Sequence, residues 1–213
     1  MMNKISYIFA SVAVLLTACQ QKMEFLHGLT LSNSTVNMPA QESWHVVAVY
    51  SNDDWTAFFS EPVEWASLDV VKGEAGVGRI QLDCVRNQGL KRSVKVIVKS
   101  GAQTDTLHVN QYSSVKTPEF AFEKSSVEIS GEAVYVSVGL STNLGQDVER
   151  AIVSVSDAEG NPVDWVSAVD VTPDAVTFNV KSAVESRKAV LLLTLSDCDG
   201  NIYQTRLNII QNV

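Results

Sequence analysis

From residue 28 onward, apolar and polar side chains alternate with a period of two, and no stretch repeats at the spacing of an amphipathic helix. Val94, Val96 and Val98 fall on one face of a run whose other face carries Lys95 and Lys99. Ile80, Leu82 and Cys84 alternate in the same way with Arg79, Gln81 and Asp83, as do Val134, Val136 and Val138 with Tyr135 and Ser137. Each run can bury one face against a second layer. Turn-forming clusters interrupt the runs about every 8 to 12 residues, the pattern of an antiparallel sandwich or barrel.

The pattern occurs twice. Leu29-Thr30-Leu31 followed by Ser34-Thr35-Val36-Asn37-Met38 aligns with Phe120-Ala121-Phe122 followed by Ser125-Ser126-Val127-Glu128-Ile129, at an offset of 91. Pro62-Val63-Glu64-Trp65-Ala66-Ser67 matches Pro162-Val163-Asp164-Trp165-Val166-Ser167 at an offset of 100, the difference being a longer loop around Gly145 and Asp147. Arg92 corresponds to Arg187, and the closing strands that end in Gln111 and Gln211 also agree. Fixed strands separated by loops of changing length indicate a duplication. The alternation breaks between Ser113 and Glu119, where Thr117-Pro118 restricts the bend. The predicted organisation is one β-sandwich over 29–113, a linker over 114–118 and a second β-sandwich over 119–213. Each has enough chain for one two-layer core.

The residues before the first sandwich are of a different kind. One early positive charge, Lys4, precedes an apolar run from Ile5 to Ala18, too short for the roughly 20 residues that span a bilayer core. Residues 1–18 are predicted to be an export signal, and no later segment is a transmembrane candidate. The run ends in Leu16-Thr17-Ala18-Cys19, which resembles the lipobox of bacterial lipoproteins. That resemblance implies that the Cys19 thiol is lipidated and becomes the first mature residue, with residues 19–28 as a polar tether. Two or more acyl chains hold a protein on a membrane stably where one does not. The expected location is the cell envelope, anchored by lipid to the outer membrane, with the cell surface and the periplasmic face both open.

Charge and composition narrow the function. Across 213 residues, 16 Lys and Arg stand against 24 Asp and Glu, a net charge of −8, so nothing resembles a phosphate-neutralising footprint and no nucleic-acid partner is expected. His27, His45 and His108 are far apart, and neither His-x-His nor Cys-x-x-Cys occurs, so no metal site and no cofactor are expected. Asp197-Cys198-Asp199-Gly200-Asn201 lacks the later Glu of a calcium loop and is predicted to be a hairpin turn. No nucleophile elbow is present, and Asp53, Asp54, Glu61, Glu64 and Asp69 are distributed like solvated loop residues, so the expectation is a protein that is not an enzyme. Cys84 on a core face and Cys198 at a turn tip are not expected to pair.

One order of residues carries a family resemblance. Ser51-Asn52 then Trp55, Glu64-Trp65, the glycine-rich turn from Gly73 to Gly78, Asn87, Arg92 and a last strand with Val109 and Gln111 together resemble a BACON domain, the Bacteroidetes-associated carbohydrate-binding, often N-terminal module. The second repeat keeps Trp165, Arg187 and Gln211 and lacks a counterpart of Trp55. The resemblance implies an all-β fold of two tandem immunoglobulin-like β-sandwiches following a lipoprotein signal peptide.

Four aromatics are the candidate site residues. Trp65 and Trp165 hold equivalent places beside turns and are predicted to be structural core, with Gln111 and Gln211 satisfying backbone groups and Arg92 and Arg187 keeping their charge in water. In the run from Trp44 to Tyr50 the core positions are Val47 and Val49, which leaves Trp44 and Tyr50 outward as candidate ligand-binding residues. One of Phe58 and Phe59 must also face outward. The reading is a non-catalytic, lipid-anchored envelope protein of tandem BACON-like domains. It would act in glycan or mucin binding or in glycan-utilisation machinery. The alternative is a structural stalk or protein–protein assembly module for other envelope proteins, with no sugar site.

Overall fold

The computed structural model describes residues 25–213, so the signal segment, Cys19 and the first part of the tether lie outside the described residues. Two sheets, one of four strands and one of five, make the first sandwich. In one sheet β1 (Leu29–Leu31) pairs with β3 (Ser43–Ser51), which pairs with β7 (Gly76–Cys84), which pairs with β5 (Ala66–Leu68). The facing sheet runs β2 (Thr35–Met38), β9 (Gln103–Gln111), β8 (Arg92–Ser100), β4 (Trp55–Phe59) and β6 (Lys72–Gly73). Pairing is antiparallel except between β2 and β9, which run parallel.

The second sandwich repeats this plan. β10 (Phe120–Phe122), β12 (Val134–Thr142), β15 (Ala175–Val180) and β14 (Val166–Val171) form one sheet. β11 (Ser126–Ser130), β17 (Ile202–Asn212), β16 (Arg187–Ser196) and β13 (Ile152–Ser156) form the other, again with a parallel first pair. A four-strand sheet facing a sheet built on the last two strands, with the first strand split between them, is the immunoglobulin-like arrangement. No helix among the described residues is long and apolar enough to cross a membrane.

Alternation decides which face is buried. Val94, Val96, Val98, Ile80, Leu82 and Cys84 enter the first core with Val47, Val49 and Trp55, while Lys95 and Lys99 stay in water. Val136 and Val138 are buried in the second core, but Val134, at the open end of its strand, remains at the surface. Trp55 explains two glycines of the predicted turn: a Cβ on Gly73 would stand 2.5 Å, and one on Gly78 2.8 Å, from its indole. The ring packs flat against bare backbone, which no other residue would permit.

One buried side chain of the first repeat belongs to the second core. Leu90, from the loop before β8, is 1% exposed and belongs to the second core, against residues such as Leu144 and Val148 from the longer loop of the second repeat. Asn87 shapes that loop by donating to the Leu90 and Tyr112 carbonyls at 2.8 and 3.0 Å and accepting from the Gly89 amide at 3.0 Å. The Leu90 amide donates to the Asp147 carboxylate, Lys91 Nζ lies 2.7 Å from Asp199, and Ser113 Oγ donates to the Gly89 carbonyl at 2.7 Å. A Cβ on Gly89 would collide with the Asp147 side chain.

Candidate functional site

The outer face of the β3–β7–β5 ladder carries the first candidate residue. Antiparallel register sets Trp44 beside Asp83 on β7, and Asp83 beside Ser67 on β5. Period two turns all three away from the core, and Trp44 is 66% exposed. Along β7, Gln81 Nε2 donates to Asp83 Oδ1 at 2.9 Å and fixes that carboxylate. Beside this row lies an open groove of about 380 Å³, walled by Trp44, Trp65, Glu42, Glu64, Asp83 and Ser43. Ser43 Oγ is shielded from solvent and has no hydrogen-bond partner.

Trp65 reaches the groove because of what holds it. Arg92 lays its guanidinium over the indole, 4.6 Å from the ring centre, and donates through Nε to Gln111 Oε1 at 2.8 Å. Gln111 Nε2 and Arg92 both donate to the Val85 carbonyl, and the Val85 amide donates to the Trp65 carbonyl. One ring face is therefore covered, and the indole is half-buried. Burial holds the Arg92 guanidinium below its ordinary pKa, opposed by the nearby Asp147 carboxylate.

The second repeat builds the same device. Arg187 stacks 4.4 Å from the centre of Trp165 and donates to Gln211 Oε1 at 2.8 Å. Gln211 Nε2 and Arg187 share the Lys181 carbonyl, and the Lys181 amide donates to the Trp165 carbonyl. Trp165 is 7% exposed and sits in its core. The sequence left both arginines in water; each instead spreads its weakly hydrated plane on an indole, a contact whose partner the linear pattern does not reveal.

The structure separates the two outward aromatics of β3. Trp44 and Tyr50 share a face but stand six residues apart, roughly 20 Å along a strand that rises about 3.3 Å per residue. Tyr50 is half-buried and meets Phe25 edge-on, with ring centres 5.4 Å apart. Phe25 is fastened by Asn52, which accepts from its amide at 2.7 Å and donates to its carbonyl at 3.0 Å. Residues from Phe25 onward, read from the sequence as tether, are thus bound to the first sandwich. Phe58 is outward beneath Lys99 and Phe59 packs on the core. Sequence pattern singled out Trp44 but not its groove partners Glu42, Glu64 and Asp83, which converge only through strand register.

Chemically, the groove offers an indole and the free part of another as apolar surfaces, with carboxylate acceptors and serine hydroxyls beside them. That combination suits a flat ligand that is apolar on one face and rich in hydroxyl donors at its rim. No cluster of metal-ligating side chains occurs among the described residues. Cys84, under the groove, is pushed up to about 11 by burial and is a packing residue rather than a nucleophile. Cys84 and Cys198 are free thiols, the first buried and the second exposed.

The sheet order and split first strand make the chain a tandem of two immunoglobulin-like β-sandwiches. Among solved structures it is similar to a Bacteroides ovatus GH5 xyloglucanase in complex with a heptasaccharide, at 16% identity over 64% of this chain and 30% of that one, TM-score 0.37. An endo-fucoidan hydrolase of glycoside hydrolase family 107 aligns at 11% identity over 90% of this chain and 30% of its own, TM-score 0.33. A titin tandem of Ig domains aligns at 9% identity over 86% of this chain and 96% of its own, TM-score 0.33. The chain spans about a third of the length of the two hydrolases. No protein-family model and no curated protein matches the chain.

Proposed function

We propose that this is a non-catalytic, BACON-like envelope protein, lipid-anchored to the outer membrane through Cys19, whose first sandwich binds a glycan in the Trp44–Trp65 groove. The observation that carries the reading is Trp44: a large indole, 66% exposed, set in register beside a fixed carboxylate at the mouth of a groove with a second indole. Folding has no use for that exposure, whereas a sugar face does.

The test is calorimetric titration of soluble residues 20–213 with mucin glycans and with plant and microbial polysaccharides. Affinity in the millimolar to micromolar range is expected, about −4 to −8 kcal/mol, because an open groove buries little of a sugar. Trp44→Ala should remove binding while the melting temperature stays nearly unchanged, since an exposed substitution alters stability by about 0.5 kcal/mol or less. Chromatography of the incubated oligosaccharides should show no new products. Binding that survives Trp44→Ala refutes this site. Failure of the whole panel to bind favours a second reading, a rigid spacer or assembly module, which the insertion of Leu90 into the neighbouring core supports.

A further inference from the structure

The duplication extends to the outer face of the sheet. In the first sandwich the lateral row is Trp44, Asp83, Ser67. In the second, Tyr135 on β12 stands beside Asn179 on β15, which stands beside Ser167 on β14. Positions correspond throughout the ladder: Ser43 and Ala66 both pair with Cys84, just as Val134 and Val166 both pair with Val180. Tyr135 is 65% exposed, matching Trp44, and Asn179 and Ser167 are exposed too.

Outward positions of a sheet are the ones free to change after a duplication, because no packing constrains them. Around this row they have changed: Glu42 and Trp44 of the first repeat become Ala133 and Tyr135, and Asp83 becomes Asn179. The remaining acid, Asp164, is paired with Lys181 at 3.0 Å. What persists is an exposed aromatic flanked by a short hydrogen-bonding side chain and a serine. A backbone irregularity marks the same spot. β14 shifts register immediately after Ser167, and Ala168 sits at φ 49°, in the left-handed region that glycine prefers. Bulges and held backbone strain concentrate where a sheet re-aims side chains for binding.

We infer that Tyr135, Asn179 and Ser167 form a second glycan-binding site, equivalent in position to the first but without its carboxylates, so that the protein is bivalent for sugar chains. The inference rests on the glycan reading of the first site. Tyr135 supplies the stacking ring, the Asn179 amide both donates and accepts, and Ser167 adds a hydroxyl at the rim.

The experiment is calorimetric stoichiometry on residues 20–213 with cellohexaose, mannohexaose and the chitin hexamer, using wild type, Trp44→Ala, Tyr135→Ala and the double variant. Two hexamers per chain are expected for wild type, one for each single variant and none for the double. Tyr135→Phe should restore the second site, and Asn179→Ala should weaken it about tenfold, the loss of one good hydrogen bond. A single site abolished by Trp44→Ala and untouched by Tyr135→Ala overturns the inference and leaves the first site standing. A single site abolished only by Tyr135→Ala overturns the bivalent arrangement together with the first site and leaves the one site on the second sandwich. Binding of none of the three hexamers and of nothing in the mucin and polysaccharide panel overturns both.

Discussion

Leu90→Ala should destabilise the second sandwich although residue 90 belongs to the chain of the first. The side chain is 1% exposed and packs in the core that contains Leu144, Val148 and Trp165. Truncation removes three carbons, about 2.4 kcal/mol at about 0.8 per buried carbon, and the cavity adds to this, so the expected cost is about 3 kcal/mol. For a sandwich of this size that is a fall of roughly 12 to 24 °C in its melting temperature. The assay is scanning calorimetry of residues 20–213, with Leu82→Ala as the reference for the first sandwich, because Leu82 is fully buried in the other core. Residues 117–213 alone, which lack Leu90, Val115 and the Lys91–Asp199 pair, should melt at least as far below the intact chain as Leu90→Ala does. A cost under about 1 kcal/mol, together with a 117–213 fragment as stable as that sandwich is in the intact chain, would show that Leu90 does not support the second core.

Other outcomes follow from burial. Trp165→Ala should cost about 3 to 5 kcal/mol and Trp65→Ala less, since Trp165 is buried and Trp65 only half so; equal losses in urea titrations would contradict this. Cys84 is held protonated in the fold, its pKa raised from 9.0 to about 11 by burial, so the folded state binds that proton more tightly than the unfolded chain does. Its stabilising contribution is full below pH 9 and is lost as pH rises through about 11, and Cys84→Ala should flatten this alkaline decline in urea melts. Cys19→Ser should abolish acylation, read by mass spectrometry of the mature N-terminus; an unmodified Cys19 in the wild type, or cleavage elsewhere, would remove the anchor from the proposal.

The sandwiches were legible because each rests on a local signal. Period two in Val94 to Val98 and in Ile80 to Cys84 names the buried face without reference to any other strand. Paired sequences such as those around Trp65 and Trp165 name the repeat. The site was legible only in part. Trp44 could be placed outward by parity, but parity cannot tell how far apart two outward residues are useful, so Tyr50 was grouped with it although Phe25 claims Tyr50. Tyr135 had a usable signal, since the offset of 91 that aligns the first strands maps it onto Trp44. Leu90 had none. An isolated leucine in a polar loop reads as surface, and only the meeting of two domains turns it into core.

Trp65 is poorer evidence for a ligand than its place in the groove suggests. The same indole–guanidinium–glutamine set, closed by the same two backbone hydrogen bonds, exists around Trp165, where the ring is buried in a core and offers no such wall. A device present in both repeats with the same bonds serves what the repeats share, which is the closing of a strand end over the core. Gln211, fully buried, shows this most plainly: its amide nitrogen reaches the carbonyls of Ser130, Glu132 and Lys181, groups that would otherwise lose hydrogen bonds out of water. Replacing Trp65 would therefore loosen the Arg92 and Gln111 contacts and disturb the groove by way of the fold. Trp44 has no such second duty, and its outward neighbours, Asp83 and Val46, leave its ring largely in water. Loss of binding on Trp65→Ala thus discriminates nothing by itself, and the glycan reading stands or falls on Trp44→Ala measured in a chain whose melting is unchanged.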